Sequence, residues 1–153
     1  MTRHMTALAV ALLAATSPPA ALSASSATTT VTITTKVNAM DWTGAWSRME
    51  IVDAQGKLKP APDPTRVKFE VDPQLFVSMS VGCNQIGSQL QPGEGGAITF
   101  APGMATRMGC EGAIGEAEDR LTAALPAIAR YEVRGDDVAF MDAGGRVLLV
   151  VGR

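Results

Sequence analysis

The sequence predicts an α+β domain, in which a small, curled and incompletely closed antiparallel sheet is covered on its open side by one α-helix. Two observations lead to this fold class. Short segments of alternating apolar and polar residues follow one another, separated by turns rich in glycine and proline, which is typical of successive β-hairpins. A single stretch, beginning after Cys110, has apolar residues at helical spacing. The sequence contains no internal repeat.

The amino-terminal residues have the pattern of a secretory signal. Arg3 supplies a positive charge, and residues 5–15 form an apolar segment that is too short to span a bilayer. Pro18 then interrupts this segment. We therefore predict a signal peptide over residues 1–24, with a buried amino-terminal helix as the alternative.

A Ser/Thr-rich linker is predicted over residues 25–40, followed by the folded domain over residues 41–153. Residues 30–34 alternate between threonine and β-branched apolar residues, so an edge strand is the alternative there. No cysteine lies close to the end of the apolar segment, which argues against a lipid anchor. We expect a periplasmic or secreted monomer with no stable membrane anchor.

Composition excludes several classes of function. His4 is the only histidine and would leave with the signal, so the exported chain would lack the base that Ser-His-Asp catalysis requires. Loss of Arg3 would change the formal net charge from −2 to −3. The basic residues are scattered, whereas nucleic-acid binding requires clustered Lys and Arg. We expect no nucleic-acid partner and no cofactor.

The strands are predicted from alternation and from their turns. Residues 53–64 contain three prolines and one glycine, and are predicted to be a loop that forms neither a ladder nor a helix. Trp42 is expected to fold over the core. The predicted strands cover residues 45–52, 67–71, 74–81, 84–90, 97–100, 131–134, 138–141 and 146–151.

The one predicted helix is expected to end near Leu125, because Pro126 disfavours helical backbone in the residue before it. Its apolar stripe comprises Ile114, Ala117, Leu121, Ala124 and Leu125. Three acidic residues are placed in its early turns, where negative charge favours the helix dipole, and are interpreted as solvated surface: Glu116, Glu118 and Asp119.

The only two cysteines, Cys83 and Cys110, are predicted to form a disulfide, because an exported protein meets an oxidising compartment. Two buried free thiols are the alternative. The spacing is not that of a redox-active Cys-x-x-Cys pair. A metal site is not expected either, because two thiolates without histidine leave half of a tetrahedral shell empty.

Both cysteines lie in distinctive motifs. Cys83 is part of Gly82-Cys-Asn84-x-x-Gly87, and Cys110 ends Thr106-x-Met108-x-Cys110. Together with the acidic helix and the closing strands, these motifs resemble the META-domain family, whose familiar bacterial member is HslJ. The resemblance runs from about Trp46 to Val151 and implies a small cracked-barrel-like fold.

The same motifs supply the candidate binding face. Gly82, Asn84, Gly87, Thr106 and Met108 are the candidates. The functional interpretation is a shaped loop that presents Asn84 to a ligand. The structural interpretation, which we favour, is that the glycines permit bends or close packing and that Asn84 bonds to nearby backbone. Thr106 and Met108 are likewise interpreted as packing elements. A cluster of Met79, Met104 and Met108 is a candidate for an apolar groove.

The resemblance implies a non-enzymatic, envelope-stress-related or heat-shock protein that binds an envelope protein segment or an apolar ligand. A small exported inhibitor of a hydrolase is the alternative, and residues 53–64 would be its protruding loop. An enzyme with paired acids is a third hypothesis, which requires two carboxylates in one cleft.

Overall fold

The computed structural model describes residues 40–153, so the predicted signal peptide, the linker up to residue 39 and the alternative strand over residues 30–34 lie outside the described residues. Within the described part, eleven strands and one α-helix form two antiparallel sheets around a common core. The predicted α+β class is therefore confirmed.

The first sheet has the strand order β1-β4-β5-β6-β7, and the short strand β8 pairs with β6 on the edge away from β5. Alternation positions its residues as predicted: Val77 and Met79 are fully buried, whereas Phe76 is exposed. The strands are β1 Gly44–Trp46, β4 Lys68–Val71, β5 Phe76–Ser80, β6 Ile86–Pro92, β7 Ile98–Phe100 and β8 Met104–Ala105.

The second sheet has the order β3-β2-β11-β10-β9, so the last strand of the chain occupies its centre. Strand β11 pairs with β10 on one side and with β2 on the other. The strands are β2 Arg48–Val52, β3 Leu58–Pro60, β9 Arg130–Arg134, β10 Asp137–Met141 and β11 Val147–Gly152.

Two junctions curl the sheets towards each other. Ser47 separates β1 from β2, and its main-chain N donates to the Gly152 carbonyl at 2.9 Å, so one length of chain passes from the first sheet to the second. On the other side, Ile98 N donates to the Ala129 carbonyl at 3.1 Å, linking β7 to the residue before β9. The described strands do not close into a barrel.

Helix α1, Gly112–Ala124, lies against β2 and β11. Four of the five predicted stripe residues are buried, and a short 3₁₀ turn containing Pro126 ends the helix where expected. The first turn contains no acidic residue, because the helix begins at Gly112 and Glu116 falls in the second turn. The predicted dipole contribution is therefore weakened. No helix in the described residues is long and apolar enough to cross a membrane.

Aromatic rings fill the space between the sheets. The ring of Phe140 has three neighbours, with centroids at 6.0 Å for Trp42, 5.9 Å for Phe69 and 5.5 Å for Phe100. Trp42 is 5% exposed, so it covers the core as predicted. Offset and edge-to-face pairs of this kind add to the stabilisation that burial gives.

Three local predictions were wrong. Residues 53–64 contain strand β3 and the start of a 3₁₀ turn, since β3 pairs only with β2 and an edge strand tolerates a proline whose missing N–H costs no ladder bond. The segment 45–52 is two strands, because the chain changes sheets at Ser47. Strand β8 was not predicted, since its two residues depend on pairing with β6.

Candidate functional site

Two segments that carry the family-like motifs lie side by side. Residues 82–87 run from the connection after β5 into the start of β6, and residues 106–110 lead from β8 towards α1. Cys83 and Cys110 join them by a disulfide, with Cα atoms 6.1 Å apart. The predicted disulfide is thus confirmed, and the alternative of two free thiols was wrong.

Asn84 is the centre of a polar network that we call the Asn84 latch. The latch comprises Asn84, Thr106, Met108, Glu118 and the disulfide between Cys83 and Cys110. The Asn84 side chain donates through Nδ2 to the Met108 carbonyl at 3.1 Å and to Glu118 Oε1 at 2.5 Å. Its Oδ1 accepts from Thr106 Oγ1 and from Met108 N, both at 2.8 Å. Asn84 is only 4% exposed. Because its amide hydrogen bonds are all made within the protein, it has none left for a ligand.

Glu118, on helix α1, accepts hydrogen bonds from both the main chain and the side chain of Asn84. Its Oε2 accepts the main-chain N–H of Asn84 at 2.8 Å, while Oε1 accepts from the Asn84 side chain. The prediction that Glu118 is solvated surface was therefore wrong, because it is half-buried and bonded to a residue from another element. Glu116 and Asp119 are exposed, as predicted. Residue 118 lies four positions after Ile114 and three before Leu121, so its place within the apolar stripe was the signal for its burial.

Thr106 and Met108 contribute to the latch in different ways. Thr106 uses its hydroxyl twice, donating to Asn84 and accepting from the main-chain N of Gln85 at 3.0 Å. Met108 contributes only main-chain groups, and its side chain is 58% exposed. The Met108 side chain is therefore not packed into the domain, which differs from the packing role predicted for it.

The latch brings together three residues of types that can bind metals, yet its donor set does not suit a metal. Atoms of Cys83, Cys110 and Glu118 lie within 4.8 Å of one another. The two sulfurs are bonded to each other and offer no thiolate, which is the form that binds zinc. Both oxygens of Glu118 already accept hydrogen bonds from Asn84. With its disulfide formed, the Asn84 latch therefore holds the two segments together and offers no ligands to a metal.

The two motif glycines have distinct steric roles. Gly82 has φ +122°, a backbone conformation that side chains rarely adopt. Gly87 lies under the ring of Phe76, and a Cβ there would come within 2.6 Å of Phe76 Cζ. The backbone of Gly103 packs directly on that of Gly87, which leaves no room for a side chain at Gly103. Backbone packing therefore requires glycine at Gly103, whereas a side chain at Gly87 would have to displace the Phe76 ring.

Strand β8 is flanked by two apolar depressions. The α1 groove, of about 300 Å³, lies between β8 and the carboxyl end of α1. The Phe76 groove, of about 260 Å³, lies on the other side of β8. The α1 groove is lined by Ile86, Ser88, Phe100, Ala101, Pro102, Gly103, Met104, Ala105, Thr122, Leu125 and Pro126. The Phe76 groove is lined by Phe76, Ser78, Gln85, Ile86, Gly87, Met104, Ala105 and Thr106.

The predicted methionine cluster does not form. Met79 is fully buried in the core, and Met108 lines neither groove. Met104 alone of the three lines both grooves, and it is 75% exposed. The cluster prediction failed because Met79 lies on the inward face of β5, which sequence alternation already indicated.

A family model described as the META domain matches residues 38–153. The chain belongs to the META-domain family. This META domain resembles two solved structures at the level of fold. A protein from Burkholderia xenovorans gives a TM-score of 0.54 at 19% identity, with 71% of this chain and 79% of that chain covered. A DUF4847 family protein from Bacteroides vulgatus gives 0.50 at 10% identity, with 72% and 92% covered. No curated protein matches the sequence.

The META domain has a further pocket that sequence analysis missed. It measures about 300 Å³ and lies between the end of α1 and the second sheet, with Arg120 and Arg146 among its lining residues. Arg120 Nε is buried without a hydrogen-bond partner in the described structure, while Arg146 Nε donates to Asp142 at 3.2 Å. Asp53 also lines this pocket, so its charges are of both signs.

Aspartates begin several turns of the META domain. The Asp53 carboxylate accepts hydrogen bonds from the main-chain N–H of Lys57 at 2.8 Å and of Gln55 at 2.9 Å. The bond from Lys57 is the main cause of the lowered pKa of Asp53. Asp142 repeats this geometry, and the main-chain N–H of Arg146 lowers its pKa. Bonds to the charged form favour ionisation. These carboxylates therefore stabilise turns and take no part in the Asn84 latch.

Proposed function

We propose that this protein is an exported, non-enzymatic, envelope-stress-related META-domain protein that binds an uncharged apolar group in the α1 groove. The group belongs either to a small ligand or to a segment of an envelope protein. The observation that carries the proposal is the α1 groove itself, an apolar depression of about 300 Å³ beside a strand that leaves Met104 75% exposed. Ligand pockets begin at about this volume.

The lining of the α1 groove supports an uncharged occupant. None of its lining residues is charged, and the Ser88 hydroxyl already donates to the Ala101 carbonyl at 2.7 Å. Burying a charge against such a surface would be unfavourable because nothing there replaces its hydration. An apolar group would instead gain roughly 25 cal/mol for each Å² removed from water.

The chemistry of the latch supports a role without catalysis. Its carboxylate and its amide bond to each other, and its two sulfurs are joined. General acid–base or nucleophilic catalysis needs a group that is free to exchange a proton or to attack a substrate. The latch offers neither type of group.

Export and the stress role have separate support. The apolar segment over residues 5–15 and the disulfide both fit an oxidising compartment outside the cytoplasm. The link to envelope stress depends on the resemblance to HslJ alone. Mass spectrometry of protein recovered from periplasm and medium tests export: the expected mature chain begins near residue 25 with no alkylatable thiol. A cytoplasmic full-length chain would refute it.

Binding is tested by amide NMR titration with an uncharged probe, cyclohexanol, and in parallel with an uncharged apolar peptide. We expect shifts centred on the residues of the α1 groove, such as Ala105 and Leu125. Thr122→Arg, which places a charge in the groove, should abolish them. Thr99→Arg is the matched control, because Thr99 is also exposed but lines neither groove. Absence of groove shifts with both probes would refute the proposal, and the responding probe identifies the source of the group.

A further inference from the structure

The pocket between α1 and the second sheet differs from the two grooves because charged side chains line it. It measures about 300 Å³, and we call it the Arg120 pocket. We propose that the Arg120 pocket binds a carboxylate group attached to a short apolar body, with Arg120 and Arg146 as the residues that hold the carboxylate. Such a group occurs in small organic acids and at the carboxyl terminus of a peptide. The site is separate from the α1 groove, since no residue lines both.

Arg120 supplies a guanidinium whose charge has no partner. It takes part in no ion pair among the described residues, and its Nε is buried without a hydrogen-bond acceptor there. A buried charged donor without an acceptor is unfavourable, because nothing replaces the water that it has lost. An anion bound in this pocket would supply the opposite charge that Arg120 lacks.

Arg146, the residue before β11, supplies a second guanidinium that is only partly engaged. Its Nε donates to Asp142 Oδ2 at 3.2 Å, and its side chain is 64% exposed. Its terminal nitrogens donate to no acceptor in the part of the chain that the structure describes. A guanidinium with free terminal nitrogens can donate two parallel hydrogen bonds to one carboxylate. Arg146 can therefore bind a ligand without breaking its contact with Asp142.

The acidic residue of the pocket does not cancel this positive charge. Asp53 Oδ1 accepts two main-chain N–H groups of its own turn, and its Oδ2 lies 4.0 Å from Lys59 Nζ. The lining residues and their ion-pair partners comprise three cations, Arg120, Arg146 and Lys59, against the two carboxylates of Asp53 and Asp142. One positive charge is left over. This excess matches a single carboxylate better than a phosphate dianion, whose second charge would be repelled by Asp53.

The rest of the lining is apolar and mostly small, which favours an apolar body behind the carboxylate. Removing such surface from water gains roughly 25 cal/mol for each Å². A volume of about 300 Å³ is at the lower limit for ligand pockets, so the body must be short. The apolar lining residues are Val52, Ala54, Ala123, Ala124, Ala127 and Leu148.

The experiment is an amide NMR titration of the protein with sodium butanoate at low ionic strength, where charge pairs are least screened. We expect shifts centred on Ala123, Ala124 and Ala127. Butanamide, which has the same shape without the charge, should produce none. The dipeptide acetyl-alanyl-valine and its carboxyl-terminal amide form the second arm. Tighter binding by butanoate or by the acidic dipeptide identifies the source of the carboxylate.

Two variants test the arginines. Arg120→Gln should weaken butanoate binding about tenfold or more, because it removes the charged hydrogen-bond donor. Arg146→Gln should weaken binding severalfold, and it tests the site even if Arg120→Gln lowers stability, since Arg146 is largely exposed. Arg66→Gln is the matched control and should bind as wild type. It removes the same charge from an exposed residue that lines neither groove nor the Arg120 pocket.

Several results would overturn the inference. Butanoate shifts outside the Arg120 pocket, equal binding of butanamide, or an equal loss in Arg66→Gln would each show that the two arginines do not form a carboxylate site. Inorganic phosphate that binds as tightly as butanoate would contradict the choice of a carboxylate. The proposed function is judged separately, because cyclohexanol and the uncharged peptide report on the α1 groove.

Discussion

The segment from Pro102 to Cys110 has two halves with opposite properties. The carboxyl half belongs to the Asn84 latch, where a disulfide and hydrogen bonds hold its main chain. The amino half, with Met104 and Ala105, is held by one short ladder and leaves apolar surface exposed beside two grooves. The difference follows from the number of contacts that hold each half, since the latch half is cross-linked and hydrogen-bonded while the β8 half has one short ladder.

Removing the disulfide should have the largest effect on the latch half. The bond spans 27 positions, and loss of a loop of this length corresponds to about 3.5 kcal/mol of unfolding free energy. The double variant Cys83→Ser with Cys110→Ser should show this loss in urea denaturation. Wild type under dithiothreitol is the control, and it should match the variant. Unchanged stability in both would show that hydrogen bonds alone hold the two segments together.

Reversing the polarity of the latch should have the next largest effect. Asn84→Asp removes the amide donor facing Glu118 and puts two carboxylates together, so we expect a loss of about 2–3 kcal/mol at neutral pH. Adding Glu118→Gln restores a donor–acceptor pair and should recover a large part of that loss. Glu116→Gln, an exposed neighbour, is the matched control and should recover nothing. Equal recovery by both second-site changes would contradict the role assigned to Glu118.

The packing beneath β8 should be sensitive to a single methyl group. Gly87→Ala forces its Cβ to within 2.6 Å of Phe76 Cζ, and overpacking of this kind costs roughly 1–3 kcal/mol. Gly109→Ala meets nothing within 4 Å and should be close to neutral in the same urea titration. If Gly87→Ala were also neutral, the Phe76 ring would move aside more easily than its contact with Gly87 indicates.

The turn carboxylates should give the smallest effect, seen only in acid. Asp53, Asp63 and Asp142 have pKa values below their ordinary 3.8, with hydrogen bonds from Lys57, Thr65 and Arg146 as the respective main causes. Their contribution is complete above about pH 4 and is lost as pH falls through the lowered values in the folded state. Asp53→Asn should therefore flatten the stability curve below pH 4. An unchanged curve would show that the loss of stability in acid arises from other groups.

Local patterns predicted most of the fold. Alternation located the inward faces of the strands, helical spacing located α1, and Pro126 marked its end, because each of these signals arises from neighbours in sequence. The disulfide was predictable since only two cysteines were present. These features depend on periodicity and composition, which a single sequence displays directly.

The remaining features depend on contacts between distant residues. Glu118 is half-buried and bonded to Asn84, which lies 34 positions away in the sequence. Strand β8 exists only through β6, and β3 tolerates Pro60 only because it lies at an edge. The α1 groove arises where α1 ends beside β8, which no local pattern specifies. Sequence therefore located the motif residues, while their partners and the grooves required the fold.

The position of β11 has a consequence for how this chain is made. As the centre of the second sheet, β11 supplies a neighbour both to β2 and to β10, yet it is translated last of the three. Until it emerges, that sheet consists of two separate hairpins that small size leaves marginally stable. The second sheet is therefore completed only once β11 has been translated, and its two hairpins depend on that strand for their stability.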